Sequence, residues 1–449
     1  MNKKNAAIYI LSGIFIFQDA LYKGIPGLGI VKYFDEILVC VLSVIAIVNI
    51  TRKKEMQQLS KRIFILLVIF SLIGLISSFI NSDIILRDLL ISNFLSIKFL
   101  IIVIALMNIP LQSITIKYMK NSLIFYSNIV MIFAVFNFLF PVAYKKIFPF
   151  ITLRYRFNLP AVCSLFTHPG TYGWFMLLVS IYFYSLYLIQ KEKKYLMKFV
   201  ITAIFALLSF RVKVILGLVV VLGYSLYLEQ RKNARNLNAK KIMILTIIII
   251  SILFVFKDLL IDTYIRYFTT QYGESARQSL TINSFNVLID YFPLGVGFGK
   301  FASFYARKNY SEYYYQYNME KIYGLEPHNP VFATDTYWPS IIGETGLIGT
   351  IIFVSIFIIL YRSLMKKINK KSLNNAYNLF AMFVFIQSLV ESTSEPIFNN
   401  APQFILIAFI IGIFLLNDVE NNISDEEDYI YEFTKTIWNK IKKNIRLNK

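Results

Sequence analysis

Apolar runs of about one membrane thickness recur from end to end of the chain, separated by short charged breaks. A helix needs about 20 apolar residues to cross the roughly 30 Å hydrocarbon core of a bilayer. Spans are predicted near residues 6–22, 34–50, 63–80, 94–109, 121–140 and 170–189, then near 196–210, 212–228, 241–256, 338–360, 376–391 and 402–416. The pattern predicts an all-α, polytopic membrane protein of about twelve spans, with one long outer loop, 257–337, between spans nine and ten. Residues 1–416 then form a single transmembrane domain and 417–449 a cytoplasmic tail.

The run 196–228 would reach roughly 50 Å as one helix, too far for one crossing. Basic clusters flank it at Lys191–Lys194 and at Arg231–Lys241, so it reads as a two-span hairpin with Arg211 and Lys213 at its far tip. Lys and Arg in the remaining short loops fall on the same face as those clusters, which predicts that both termini are cytoplasmic. The first span lacks a small-residue cleavage site and is expected to be retained.

Composition agrees with that reading: 57% of the 449 residues are hydrophobic and 16% charged, far from the balance of a soluble domain. The net charge of +20 follows from the inner-face bias and gives no reason to expect a nucleic-acid partner. Cys40 and Cys163 suggest neither a disulfide framework nor a metal cluster. The tail carries an acidic patch, Asp425 to Asp428, before a basic, aromatic stretch around Trp438, and is expected to lie on anionic lipid.

Cations on the outer side are the informative ones, because short outer loops disfavour them. Lys145, Lys146, Arg154 and Arg156 occur with no Asp or Glu between residues 141 and 171, and Arg211 and Lys213 have no acid nearby in sequence. These six await an anionic partner. The long loop is nearly neutral, with seven cations against eight anions. It holds Arg277, the turn-rich run Pro293 to Gly299, a five-tyrosine run at 310–317, and His328-Asn329; Glu344 follows just inside the tenth span. The tyrosines could stack on sugar faces or form an interfacial belt. His328 is the better placed of only two histidines for proton transfer, whereas His168, before Pro169, suits a cap or wall of the next helix. Glu344 could orient His328 or an Arg, or sit in a structural ion pair. Glu391 and Glu395 allow the same two readings, while Gly346 and Gly349 suggest close helix packing.

In order and spacing these segments resemble the bacterial O-antigen polymerase and O-antigen ligase superfamily. The resemblance covers the topology and is specific in three places: Arg156 through His168-Pro169; Ser209-Phe210-Arg211; and Arg277, Pro293-Leu294-Gly295-Val296-Gly297, His328-Asn329 and Glu344 to Gly349. The second departs from the family pattern, because Phe210 stands between Ser209 and Arg211, which leaves the donor-phosphate ligand open between Arg211 and Lys213.

The resemblance implies a glycosyltransferase of the bacterial cytoplasmic membrane with an extracytoplasmic site. Its donor and acceptor would be polyprenyl-diphosphate-linked oligosaccharides, joined into O-antigen or capsular polysaccharide. A flippase and a chain-length regulator would be expected partners beside membrane lipids. The chain contains no Asp-x-Asp pair, so neither a metal nor another cofactor is expected. His328, Arg277 and Arg211 are the expected catalytic residues; Arg154, Arg156, Lys213, His168, Asn329 and Glu344 are the expected substrate contacts. A ligase that transfers glycan to lipid A-core would use the same residues. A transporter or lipid-linked-sugar flippase is the reading from another class; it should show charges or broken helices within spans and an internal repeat.

Overall fold

The computed structural model describes residues 3–81, 85–111, 113–232, 239–268, 274–368 and 374–416. The predicted tail, 417–449, and parts of the basic clusters at 231–241 and 362–371 lie outside them.

Among the described residues the fold is all-helical apart from one two-stranded hairpin, β1 (Tyr155–Arg156) with β2 (Leu159–Pro160). The helices of the first half are α1 (Lys3–Ile16), α2 (Gln18–Gly24), α3 (Phe34–Lys53), α4 (Gln58–Asn81), α5 (Leu86–Asn108), α6 (Ser113–Leu139), α7 (Pro141–Ile147), α8 (Pro169–Gln190) and α9 (Lys193–Leu207). Those of the second half are α10 (Val212–Lys232), α11 (Ala239–Val255), α12 (Lys257–Phe268), α13 (Ala276–Asp290), α14 (Phe304–Lys308), α15 (Tyr313–Gln316), α16 (Trp338–Ile368), α17 (Asn374–Glu391) and α18 (Gln403–Leu416).

Among the described residues seven helices are long and apolar enough to cross a membrane, or nine if each of two bent pairs is one span. The chain is therefore a polytopic membrane protein. The other three expected spans fall on α9, α17 and α18, which have 15, 18 and 14 residues. At 1.5 Å per residue they reach roughly 21–27 Å, short of a full hydrocarbon core.

The expected first span is broken at Phe17, where α2 turns 74° from α1. Gln18 explains the turn: its Nε2 donates to Asp35 Oδ1 (2.9 Å) and to the Lys32 carbonyl (3.1 Å). Asp35 in turn accepts from the buried Lys98 Nζ at 2.8 Å, and Glu36 lies 3.6 Å from the same ammonium. α11 and α12 meet at 64°, where Lys257 and Asp258 end an apolar run and send the chain sideways.

Helix α8 is the centre of the bundle: 83% of its span is buried, against 17% for α3. α9, α17 and α10 pack around it. Its central place carries the residue at its N-terminus, His168, into the protein instead of leaving it facing lipid.

The long loop is a folded unit with its own core of Leu280, Val287, Val296, Phe301, Tyr314 and Leu325. The glycine run docks it. Gly295 and Gly346 both have positive φ, and a Cβ on Gly295 would come within 2.5 Å of the Gly346 nitrogen. Only glycine allows that backbone-on-backbone approach. Ser77 Oγ and Asn81 Nδ2 of α4 donate to the Gly295 carbonyl (2.7 and 2.9 Å), and Ser78 Oγ accepts from Phe298 N at 2.8 Å.

Candidate functional site

Two glycines on α8 let the α9–α10 turn approach. A Cβ on Gly173 would meet Ser209 Oγ at 2.4 Å, and one on Gly170 would meet Lys213 Nζ at 3.2 Å and His168 Nδ1 at 2.9 Å. The Ser209-Phe210-Arg211 turn therefore lies flush against the N-terminus of α8. Phe210 takes a left-handed backbone (φ 47°) and buries its ring beside Phe157 and Phe256, at centroid distances of 6.1 and 6.5 Å. The phenylalanine that interrupts the Ser-Arg pattern is thus the anchor of the turn, and Arg211 follows it into the site.

Segment 151–168 closes over this turn. Asn137 Oδ1 of α6 accepts from Cys163 N and Ser164 N, and Val162 N donates to the Leu208 carbonyl at 3.0 Å. The β1–β2 hairpin turns through Phe157 and Asn158, both at positive φ, as its two-residue loop demands.

His168 caps α8: its Nδ1 accepts from Gly170 N at 3.1 Å, while its Nε2 lies 2.8 Å from Arg211 Nη2. A neutral imidazole has one N–H and one lone pair, yet two donors face this ring. Whichever nitrogen carries the proton, one N–H points at another N–H. Burial, and then the charges of Arg211, Lys213 and Arg154, push the His168 pKa down to about 3, so the ring is neutral. Protonation would only add a second donor. The pair is thus short of an acceptor. Arg211 itself is pushed down to about 10 by burial and by Arg154 and Arg156, and it stays charged at neutral pH.

The six cations expected on the outer side do not share one fate. Lys145 donates to the carbonyls of Pro149 and Ile151. Arg156 lies 3.6 Å from Asp262 of α12. Lys213 was expected to await an anion as an alternative phosphate ligand. It is instead held by Glu391, at 2.8 Å, and by Glu395. Glu391 ends α17 and Glu395 follows four residues later, remote in sequence and adjacent in space, so Lys213 is already compensated. Arg154 is exposed, and no carboxylate pairs with it or with Arg211 among the described residues.

Arg277 is half-buried and binds Asp335 through Nε (2.7 Å) and Nη2 (2.6 Å), with its guanidinium 5.0 Å above the Tyr267 ring. Burial raises the Asp335 pKa against the opposing pull of Arg277 and then Lys213. Tyr267 bears on Arg211 as well. His168, Arg211, Lys213, Arg154 and Arg277 thus form one neighbourhood, with Lys23 of α2 also acting on His168.

The structure departs from expectation elsewhere. His328 is exposed, and among the described residues no hydrogen bond joins its ring to Arg211 or Arg277. Asn329 is half-buried; its backbone N donates to Glu326 O at 3.0 Å and its carbonyl accepts from Val331 N. Glu344 does not orient His328 or an Arg. It is 1% exposed, and its Oε1 accepts from the backbone N of Gly299, Lys300 and Phe301 at 2.9–3.1 Å. Its Oε1 is committed to the loop backbone, which gives this carboxylate a structural role.

The tyrosine run is neither a sugar platform nor an interfacial belt as a whole. Tyr313 and Tyr314 are core residues, and the hydroxyls of Tyr310, Tyr313 and Tyr317 donate to Leu325 O, Asn81 O and Asp290. Sequence reasoning missed Gly170, Gly173, Asp335 and Tyr267; the Gly-x-x-Gly spacing after His168-Pro169 was the readable signal for the first two.

Comparison with protein-family models and with curated proteins gives no match to this chain.

Proposed function

We propose that this chain is a membrane glycosyltransferase of the polymerase type, whose donor is a lipid-diphosphate-linked oligosaccharide. The observation that carries the proposal is the His168–Arg211 contact, in which an N–H lacks an acceptor beside a guanidinium lacking a carboxylate. A diphosphate oxygen supplies what is missing. In the reaction, the acceptor hydroxyl oxygen attacks the anomeric carbon, the bond from that carbon to the diphosphate oxygen breaks, and the proton passes to a base. Arg211, with Arg154 beside it, takes up charge on the leaving diphosphate through directional hydrogen bonds. Arg277 is held ready by Asp335 and Tyr267. His328, seven residues before Asp335, is the base on this reading, which requires the acceptor to dock on the outer loop. Twelve spans, with both termini cytoplasmic and the site extracytoplasmic in a bacterial inner membrane, complete the proposal.

Inorganic pyrophosphate is the first probe. It should raise the melting temperature of the purified protein and should lose that effect in Arg211→Gln. A purified lipid-linked repeat unit should then be converted to a ladder of longer chains, with Arg277→Lys severely impaired because a point charge does not replace a planar fork. No pyrophosphate effect and no ladder would end the proposal.

A lipid-linked-sugar transporter is the second reading. The two bent helix pairs and the buried Lys98–Asp35 pair of α5 and α3 favour it. Movement of labelled lipid-linked sugar across vesicles without any bond formed would select it.

A further inference from the structure

An apolar cleft lies away from the cationic neighbourhood. It opens between α6, α8, α17 and α18, has a volume of about 100 Å³, and is walled by Ile116, Leu123, Leu178, Phe380, Phe409 and Ile413 among others. Leu178 and Tyr182, on its wall, lie 10 and 14 residues along α8 from His168. At 1.5 Å per residue that is roughly 15–21 Å toward the opposite end of the bundle. The cleft exists because α6 packs chiefly on α1 while α17 and α18 pack on α8 and α5.

Water cannot fill such a space, because a buried water needs two to four polar partners and these walls offer almost none. Hydrocarbon can, at about the usual gain per methylene removed from water. The rim is different in kind. Lys117 and Lys120, three residues apart on α6, line it together with Tyr182 and Tyr377. Lys117 has a further interaction of its own, so Lys120 is the cation on which the argument rests.

We infer that this cleft binds a phospholipid with an anionic headgroup, an acyl chain lying along the apolar walls and the phosphate meeting Lys120 and Lys117. Apolar walls beneath a basic rim match a lipid in both parts, and basic pockets between transmembrane helices are known takers of anionic headgroups. The inference needs only that the helices are membrane-embedded, and it stands or falls independently of the glycosyltransferase reading.

The test is native mass spectrometry of the full chain taken from vesicles of phosphatidylcholine with phosphatidylglycerol. Wild type should retain phosphatidylglycerol preferentially. Lys120→Gln should weaken that preference by roughly fivefold, from the usual worth of one lysine near an anionic surface. Ile413→Trp, which fills the cleft, should reduce retention of both lipids. A benzophenone side chain at position 409 identifies the occupant directly, and a phospholipid adduct is expected. Cross-linking to residues of the chain itself, to a second copy or to an isoprenoid lipid would overturn the inference. So would lipid retention unchanged in both variants.

Discussion

Replacing Glu344 by Ala separates a structural carboxylate from a substrate contact. One oxygen of this buried side chain receives three backbone N–H groups, from Gly299, Lys300 and Phe301. Each buried donor left without a partner costs about 1–3 kcal/mol, so three set a ceiling of roughly 9 kcal/mol. The three share one acceptor and are not additive, and water can enter the space the side chain leaves, so about 3–5 kcal/mol is the expected loss. At roughly 1 °C per kcal/mol for a chain of this length, this corresponds to a fall in melting temperature of about 3–5 °C. Intrinsic fluorescence follows it well, because Trp338 lies one and a half turns from Glu344 on the same helix. Protease should also cut the loop between residues 299 and 335 faster in the variant. Glu344→Gln, which keeps one oxygen, should fall between wild type and Ala. A Glu344→Ala protein that melts within about 2 °C of wild type yet loses ligand-dependent behaviour would refute the reasoning and return Glu344 to the substrate.

Lys213→Met should destabilise by about 3–5 kcal/mol, because Glu391 and Glu395 lose their shared cation. Adding Glu391→Gln and Glu395→Gln should recover most of the loss in thermal melts, and no recovery would show that the pairing is not the cause. The His168 ring, held neutral down to a pKa of about 3, takes up no proton where an unfolded histidine does, below about 6.5. Stability should therefore fall as pH is lowered between those values, by at most about 1.4 kcal/mol per pH unit from this group, and His168→Gln should flatten that slope. Gly346→Ala places a Cβ 2.4 Å from the Pro293 carbonyl at a φ of +57° and should undock the loop, read as a loss of protection from hydrogen exchange at Val296 and Gly297.

Helix positions were legible because hydrophobic length is a local property, and each predicted span falls on a helix or helix pair. What local length could not report is where a span bends. The turn at Phe17 depends on Gln18 meeting Asp35 and Lys32, and the partner of Lys213 lies about 180 residues away on α17. The glycine motif was readable as a turn, but its meaning as a joint required Gly346 and Ser78 to be seen against it. Arg154 and Arg211 were picked out as cations without acids, and that absence holds in space as well as in sequence among the described residues. Lys213 failed the same test because charge neighbours are set by helix packing.

The glycine joint and the cationic neighbourhood are parts of one mechanical argument. Ser77, Ser78 and Asn81 fix the glycine run to α4, and Glu344 fixes it to α16. The same stretch of chain leads back from Trp338 through the buried Tyr337 to Asp335, the residue that grips Arg277. Arg211 is set by a different group of elements: the close approach at Gly170 and Gly173, and the burial of Phe210. The two guanidinium groups thus come from independently anchored bodies, with Arg277 over the Tyr267 ring and Tyr267 acting electrostatically on Arg211. A ligand carrying two phosphates would bridge those bodies and tie the outer loop to the bundle. Pyrophosphate should therefore slow hydrogen exchange at Tyr267 and Asp335 more than orthophosphate does at equal occupancy, and equal protection by both would mean that Arg211 binds its anion alone.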